Sequence, residues 1–143
     1  MLLQLAPGSG CMPEKGARNR LNSILEELKK SDEFNLGNAN ERVLIFSFEN
    51  GVIEEDGIYY DAPCVCILDV KTKSEACAWG EKIAVPNEFM EIVKKEEQKI
   101  TIGNLFNKEM GWPSGSWHKF LNAKERWHLM ADTALEALKN LKV

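Results

Sequence analysis

Four cysteines, two histidines and a run of carboxylates are the side chains of this 143-residue chain that could do chemistry. Cys64 and Cys66 stand two apart, and a turn at Thr72-Lys73 would set Cys77 opposite Leu68. The two-residue period of a strand then puts Cys64, Cys66, Leu68 and Cys77 on one sheet face. Three thiols on one face could hold zinc. Structural zinc, however, favours Cys-x-x-Cys-type pairs set between turns, and a strand-borne Cys-x-Cys splays its sulfurs. The expectation is cysteines packed as small apolar residues, reduced, with no metal and no cofactor.

A thiol nucleophile needs a base beside it. Cys11, or a strand cysteine, served by His118 or His128 would make a small hydrolase or transferase. The histidines recur as Trp117-His118 and Trp127-His128, and on one continuous helix that spacing leaves the two rings about 80° apart. No third residue is marked to orient either ring, so the sequence contains no complete catalytic set and leaves the question of an enzyme open. Pro7-Gly8-Ser9-Gly10 has the look of a phosphate loop without its lysine or the hydroxyl residue that follows. Glu54, Glu55, Asp56 and Asp61 lack the alternating oxygen ligands of a calcium loop and read as a solvated acidic rim.

Charge is distributed unevenly. The net charge is -4, yet residues 31 to 90 hold 4 basic and 12 acidic side chains, with a small basic excess on either side. A nucleic-acid binder needs a basic stripe to neutralise phosphates, so direct DNA or RNA binding is not expected. The apolar runs have strand length, far short of the roughly 20 residues of a membrane span, and Pro7-Gly8 interrupts the opening segment before a secretory apolar region forms. A cytoplasmic location follows from this reading. An acidic middle fits a basic protein partner.

These residues need elements to position them. Residues 1–13 read as a flexible or edge segment. From Glu14 to Lys30, Leu21, Ile24, Leu25 and Leu28 follow one helical face. Arg42 to Glu49 is a strand, and Asn50-Gly51 predicts a hairpin because both residues tolerate positive φ. Val52 to Glu55 returns, and Glu54-Glu55-Asp56-Gly57 makes a second, acidic bend. Ile58-Tyr59-Tyr60 follows, Asp61-Ala62-Pro63 breaks the chain, and Cys64 to Val70 is a buried strand paired with Glu75 to Val85 across Lys71-Thr72-Lys73-Ser74. Pro86-Asn87 opens a helix to about Glu97, with Phe89, Ile92 and Val93 on one side. Lys99 to Ile102 is a short strand, and Gly103 to Ser116 an irregular loop with apolar anchors. Asn122 caps a last helix, with Glu125 completing a variant capping box. Trp127, Leu135 and Leu138 are expected to be buried on that helix, so that Leu135→Ala would cost about 2 to 5 kcal/mol.

The expected architecture is a single α+β domain over residues 1–143. It has an antiparallel meander of four to five strands, packed on one face by the N- and C-terminal helices. The expected function is a small protein-binding module, an inhibitor, immunity or antagonist protein that occludes a basic surface of a larger protein. Its contact residues would be Glu54, Glu55, Asp56, Tyr59, Tyr60 and Asp61, with Trp112 and Trp117 as a second aromatic patch. The alternatives are the Cys/His enzyme and a sequestering protein whose aromatic loop closes over a small molecule. Partner identity and oligomeric state have no signature in the sequence.

Overall fold

A computed structural model describes residues 5–6, 12–31, 40–96, 100–122 and 124–141. A helix, α1 (Met12–Lys30), precedes the long strands β2 (Leu44–Glu55) and β3 (Ile58–Asp69), and a two-residue strand β1 (Leu5–Ala6) lies parallel to β2. Two shorter strands, β4 (Glu75–Trp79) and β5 (Ile83–Val85), both pair antiparallel with β3. Four helices follow: α2 (Asn87–Lys95), α3 (Ile102–Met110), α4 (His118–Asn122) and α5 (Arg126–Asn140). The class is α+β, with an antiparallel sheet and a helix before and after it.

The two long strands form one hairpin, from Glu55↔Ile58 at the tip to Leu44↔Asp69. Its turn is Asp56-Gly57, both at positive φ (51° and 79°), the mirror-image turn whose twist matches the strands. The hairpin expected at Asn50-Gly51 therefore does not form. Asn50 is buried facing Asp61, and Gly51 lies under Pro13 of α1, where a Cβ would come within 2.3 Å of the proline ring. Nor does Asp61-Ala62-Pro63 break the chain, since all three are buried within β3.

Successive residues of β3 point to opposite faces. Cys64, Cys66 and Leu68 pack with Ile45 against Ala17 and Leu21 of α1, while Val65 and Ile67 pack with Ala76, Ala78 and Ala137 of α5. The two terminal helices thus divide the faces between them rather than sharing one. Beyond α5, the second face carries the largest cluster, in which Val52, Tyr59, Ile83 and Val85 meet Met90 and Val93 of α2, Leu105 and Phe106 of α3, and Trp117.

Three further expectations change. The connection between β3 and β4 is two residues longer than expected, so Cys66, not Leu68, faces Cys77, and the two form a disulfide rather than remaining thiols. The shift of two preserves the face, and Cys64 and Cys66 remain on one side as anticipated. Thr101 caps α3 by accepting the Asn104 amide, so Ile102 starts a helix instead of ending a strand, and Ile102–Met110 is helical where an irregular loop was expected. Lys99 and the Asn122 side chain lie outside what is described. The last helix begins at Arg126, with Glu125 at its N-cap and no side-chain cap bond.

Helix α5 is also rotated relative to the expectation. Its packed row is Leu129, Thr133 and Ala137, and Thr133 meets the sheet side where Gly80 leaves room. Trp127 is 64% and Leu135 56% exposed, and Leu138 also faces solvent. None of the helices among the described residues is long and apolar enough to cross a membrane.

Candidate functional site

The acidic bend is the exposed tip of the β2–β3 hairpin, with Glu54, Glu55 and Asp56 all solvent-facing. It is not bare charge. Lys82 pairs with Glu55 at 2.6 Å and sits 5.9 Å from the centre of the Tyr60 ring. Lys94 bonds the Tyr59 hydroxyl and lies 4.3 Å over that ring. The Tyr59 hydroxyl, together with Glu54 and Glu91, raises the Lys94 ammonium above the usual lysine range. Each tyrosine of the expected contact set therefore already has a lysine on its face.

Tyr59, Asp61 and Trp117 are buried and cannot meet a partner surface as the expectation had it. Trp112 is half-buried in a stack, between Phe106 at 5.1 Å and Phe120 at 4.9 Å. Trp117 lies against Phe106 at 4.9 Å and against the ring of its neighbour His118 at 3.8 Å. The two aromatic residues are core anchors of the segment that follows α3.

What that segment anchors is a polar constellation absent from any local pattern. Asp61 and His118 are each 1% exposed, and His118 Nε2 lies 2.9 Å from Asp61 Oδ2. Asn50, also buried, donates from Nδ2 to the same oxygen at 2.5 Å. The helix–loop–helix path makes this possible. Gly111 ends α3 in the left-handed conformation (φ 71°), and the returning chain crosses the first turn of α3 so closely that a Cβ on Gly103 would come within 2.4 Å of the Ser114 carbonyl oxygen. His118 then enters beneath α3 at the start of α4.

Beside this pair is a cavity of about 160 Å³ lined by Thr101, Asn104, Ser114, His118 and Arg126 among others. His118 Nδ1 is buried with no hydrogen-bond partner among the described residues, as is Asp61 Oδ1. With Nε2–H donating to Asp61, the neutral ring presents a lone pair at Nδ1, and the protonated ring presents an N–H there. A carboxylate that orients an imidazole facing a pocket is the geometry of a general base. The first-turn amides of Ile102 and Gly103 have no acceptor within α3, and together with Arg126 they favour negative charge at the same place.

A second, larger concavity of about 610 Å³ lies between β2 and α5, lined mainly by Phe48, Trp127, Met130, Ala131 and Ala134. Its apolar residues continue the exposed Leu135 and Leu138 stripe. His128 is exposed and stacks on Trp127 at 3.5 Å. His118 is engaged by Asp61 and Cys66 is bonded to Cys77, while Cys11 of the expected thiol–imidazole pair lies outside the described residues. No protein-family model and no curated protein matches this chain.

Proposed function

We propose that the chain binds a small molecule through an anionic group, a phosphate or carboxylate, in the pocket between the start of α3 and His118. One observation carries this reading. A fully buried histidine, held at Nε2 by Asp61 and with no hydrogen-bond partner at Nδ1 among the described residues, lines a cavity that also contains Arg126 and the first turn of α3. A buried polar group without a partner costs free energy, and a ligand atom there would recover it. The volume, below the roughly 300 Å³ of sites that enclose a whole drug-sized ligand, suits a headgroup whose remainder extends outward. This develops the sequestering alternative drawn from the sequence, in which the aromatic loop from Phe106 to Trp117 closes over a small molecule; Ser114, Gly115 and Trp117 of that stretch line the pocket.

The test is a thermal-shift and calorimetric panel of inorganic phosphate, pyrophosphate and small dicarboxylates. A binder at a hundred times its Kd adds about 2.7 kcal/mol of stability. Arg126→Gln should remove the effect while leaving the fold intact, because Arg126 is half-exposed and has no carboxylate partner among the described residues. Absence of any anion effect on the wild-type chain, or an effect untouched by Arg126→Gln, overturns the reading.

A second reading, the small acidic module occluding a basic surface of a larger protein, is favoured by the solvent-facing Glu54, Glu55 and Asp56 tip and by the exposed Trp127 beside an apolar groove. Replacing the three acids by lysine should slow association with such a partner and flatten its salt dependence. An unchanged on-rate would discard the electrostatic part of that reading.

A further inference from the structure

The face of the sheet under α1 carries a cluster that the pocket does not use. Cys66 and Cys77 face each other across β3 and β4, and the first turn of α1 brings Glu14 over them. One carboxylate oxygen of Glu14 and the two sulfurs all lie within 4.8 Å of one another. We propose that Glu14, Cys66 and Cys77 form a site for a thiophilic divalent cation such as zinc, available when the two cysteines are reduced and closed by their disulfide.

The ligand set has the chemistry for it. Two thiolates and one carboxylate match the donors zinc takes, at bond lengths that place neighbouring ligand atoms about 3.5 to 3.8 Å apart, within reach of side-chain rotation from the present spread. Glu14 and Cys77 are half-buried while Cys66 is fully buried, so solvent reaches the cluster from one side and can supply a fourth ligand. Arg18 holds Glu14 Oε1 at 2.9 Å and is itself shared with Glu75, which fixes the carboxylate and offsets the guanidinium charge that would otherwise oppose a cation. Cys64, on the same face, pairs in register with Trp79 and is not in the group.

Ser47 supplies an independent pointer. It stands directly opposite Cys66 on β2, is buried, and its Oγ has no hydrogen-bond partner among the described residues. A disulfide sulfur is a poor acceptor, whereas a thiolate at Cys66 would take the Ser47 hydroxyl proton as a hydrogen bond. Donors to ligand atoms of this kind orient and tune metal sites. The orphaned hydroxyl thus makes chemical sense in the reduced, metal-bound state and not in the oxidised one.

A dithiol reductant gives two electrons and two protons to the Cys66–Cys77 bond and itself becomes a disulfide. The cation then replaces the two thiol protons, which leave to solvent.

The experiment uses the full chain, once oxidised and once reduced with a phosphine that is then removed under anaerobic conditions. Each sample is titrated with cobalt(II), following the sulfur-to-cobalt charge-transfer band. The expected result is one cobalt per chain in the reduced protein, none in the oxidised protein, displacement by zinc, and loss of the band in Cys77→Ser. Glu14→Gln, on a half-exposed helix position that leaves the fold intact, should weaken cobalt binding while retaining a thiolate band. Cys64→Ser should change neither. No band in the reduced wild-type chain, equal uptake by both redox forms, or a band lost in Cys64→Ser but kept in Cys77→Ser overturns the proposal. Circular dichroism of Cys77→Ser separates lost ligation from lost fold, and if that variant unfolds, the Glu14→Gln titration decides.

Discussion

Truncating His118 to alanine should destabilise the chain by about 3 to 5 kcal/mol, because it leaves the buried Asp61 carboxyl group short of a hydrogen-bond donor and opens a void. Asp61 is 1% exposed, its Oδ1 has no partner among the described residues, and its Oδ2 would retain only the neutral Asn50 amide. The loss combines a charge-assisted hydrogen bond, worth about 1.5 to 3 kcal/mol, with the void left by the ring against Trp117. Asp61→Asn keeps the shape and removes the charge, so it should cost less. In the Asp61→Asn background His118→Ala should then cost at least about 1 kcal/mol less than it does alone, because no carboxylate is stranded. Urea melts at constant pH and ionic strength, read by tryptophan fluorescence, measure all four corners of this cycle. A loss below about 1 kcal/mol for His118→Ala, or additivity within about 0.5 kcal/mol, would refute the claim that the two groups are coupled.

Leu135→Ala, at an exposed position, should shift stability by less than about 0.5 kcal/mol, while Leu129→Ala, in the packed row, should cost about 2 to 5 kcal/mol in the same melts. Gly80→Ala places a Cβ 2.1 Å from Thr133 Oγ1 and 2.5 Å from Pro63 Cγ and should cost about 1 to 3 kcal/mol. Adding Thr133→Ala should recover part of that and not all of it, since the proline contact remains. The Asp69 carboxylate is held below the usual range, first by the Thr72 amide and then by Arg42 and the Lys71 amide. Its contribution is therefore present above the unfolded-state pKa and is lost as pH falls through the lower folded value, and Asp69→Asn should flatten that part of the acid limb of a stability–pH curve.

The class, the flanking helices and the shared face of Cys64 and Cys66 were legible because each depends on a period, which survives small errors of position. Partner identity does not survive them. A turn misjudged by two residues kept Cys64, Cys66 and Cys77 on one side yet hid the Cys66–Cys77 contact. Asn50-Gly51 and Asp56-Gly57 satisfy the same turn chemistry, and only tertiary packing separates them, through Pro13 above Gly51 and Asp61 beside Asn50. On α5 the bulky residues defined the apparent apolar face, but the helix packs through Leu129, Thr133 and Ala137, with Thr133 set against Gly80. The Asp61–His118 pair spans 57 residues and had no local signal. An aspartate in the middle of a largely apolar strand and a histidine beside a buried tryptophan were the only traces.

The long hairpin also sets an order of assembly. Its rungs are nested around Asp56-Gly57, so each one closes a loop only slightly longer than the one before, and loop-closure entropy grows only with the logarithm of length. Zippering from that turn toward Leu44 and Asp69 builds the strands that α1 covers before α5 needs to dock. Substitutions at Gly57 should therefore act mainly on the folding rate and those in the α5 row mainly on unfolding. The end of the sheet laid down first is the one bearing the exposed acidic tip, and the disulfide rung and the His118 pocket wait on contacts made later in the chain.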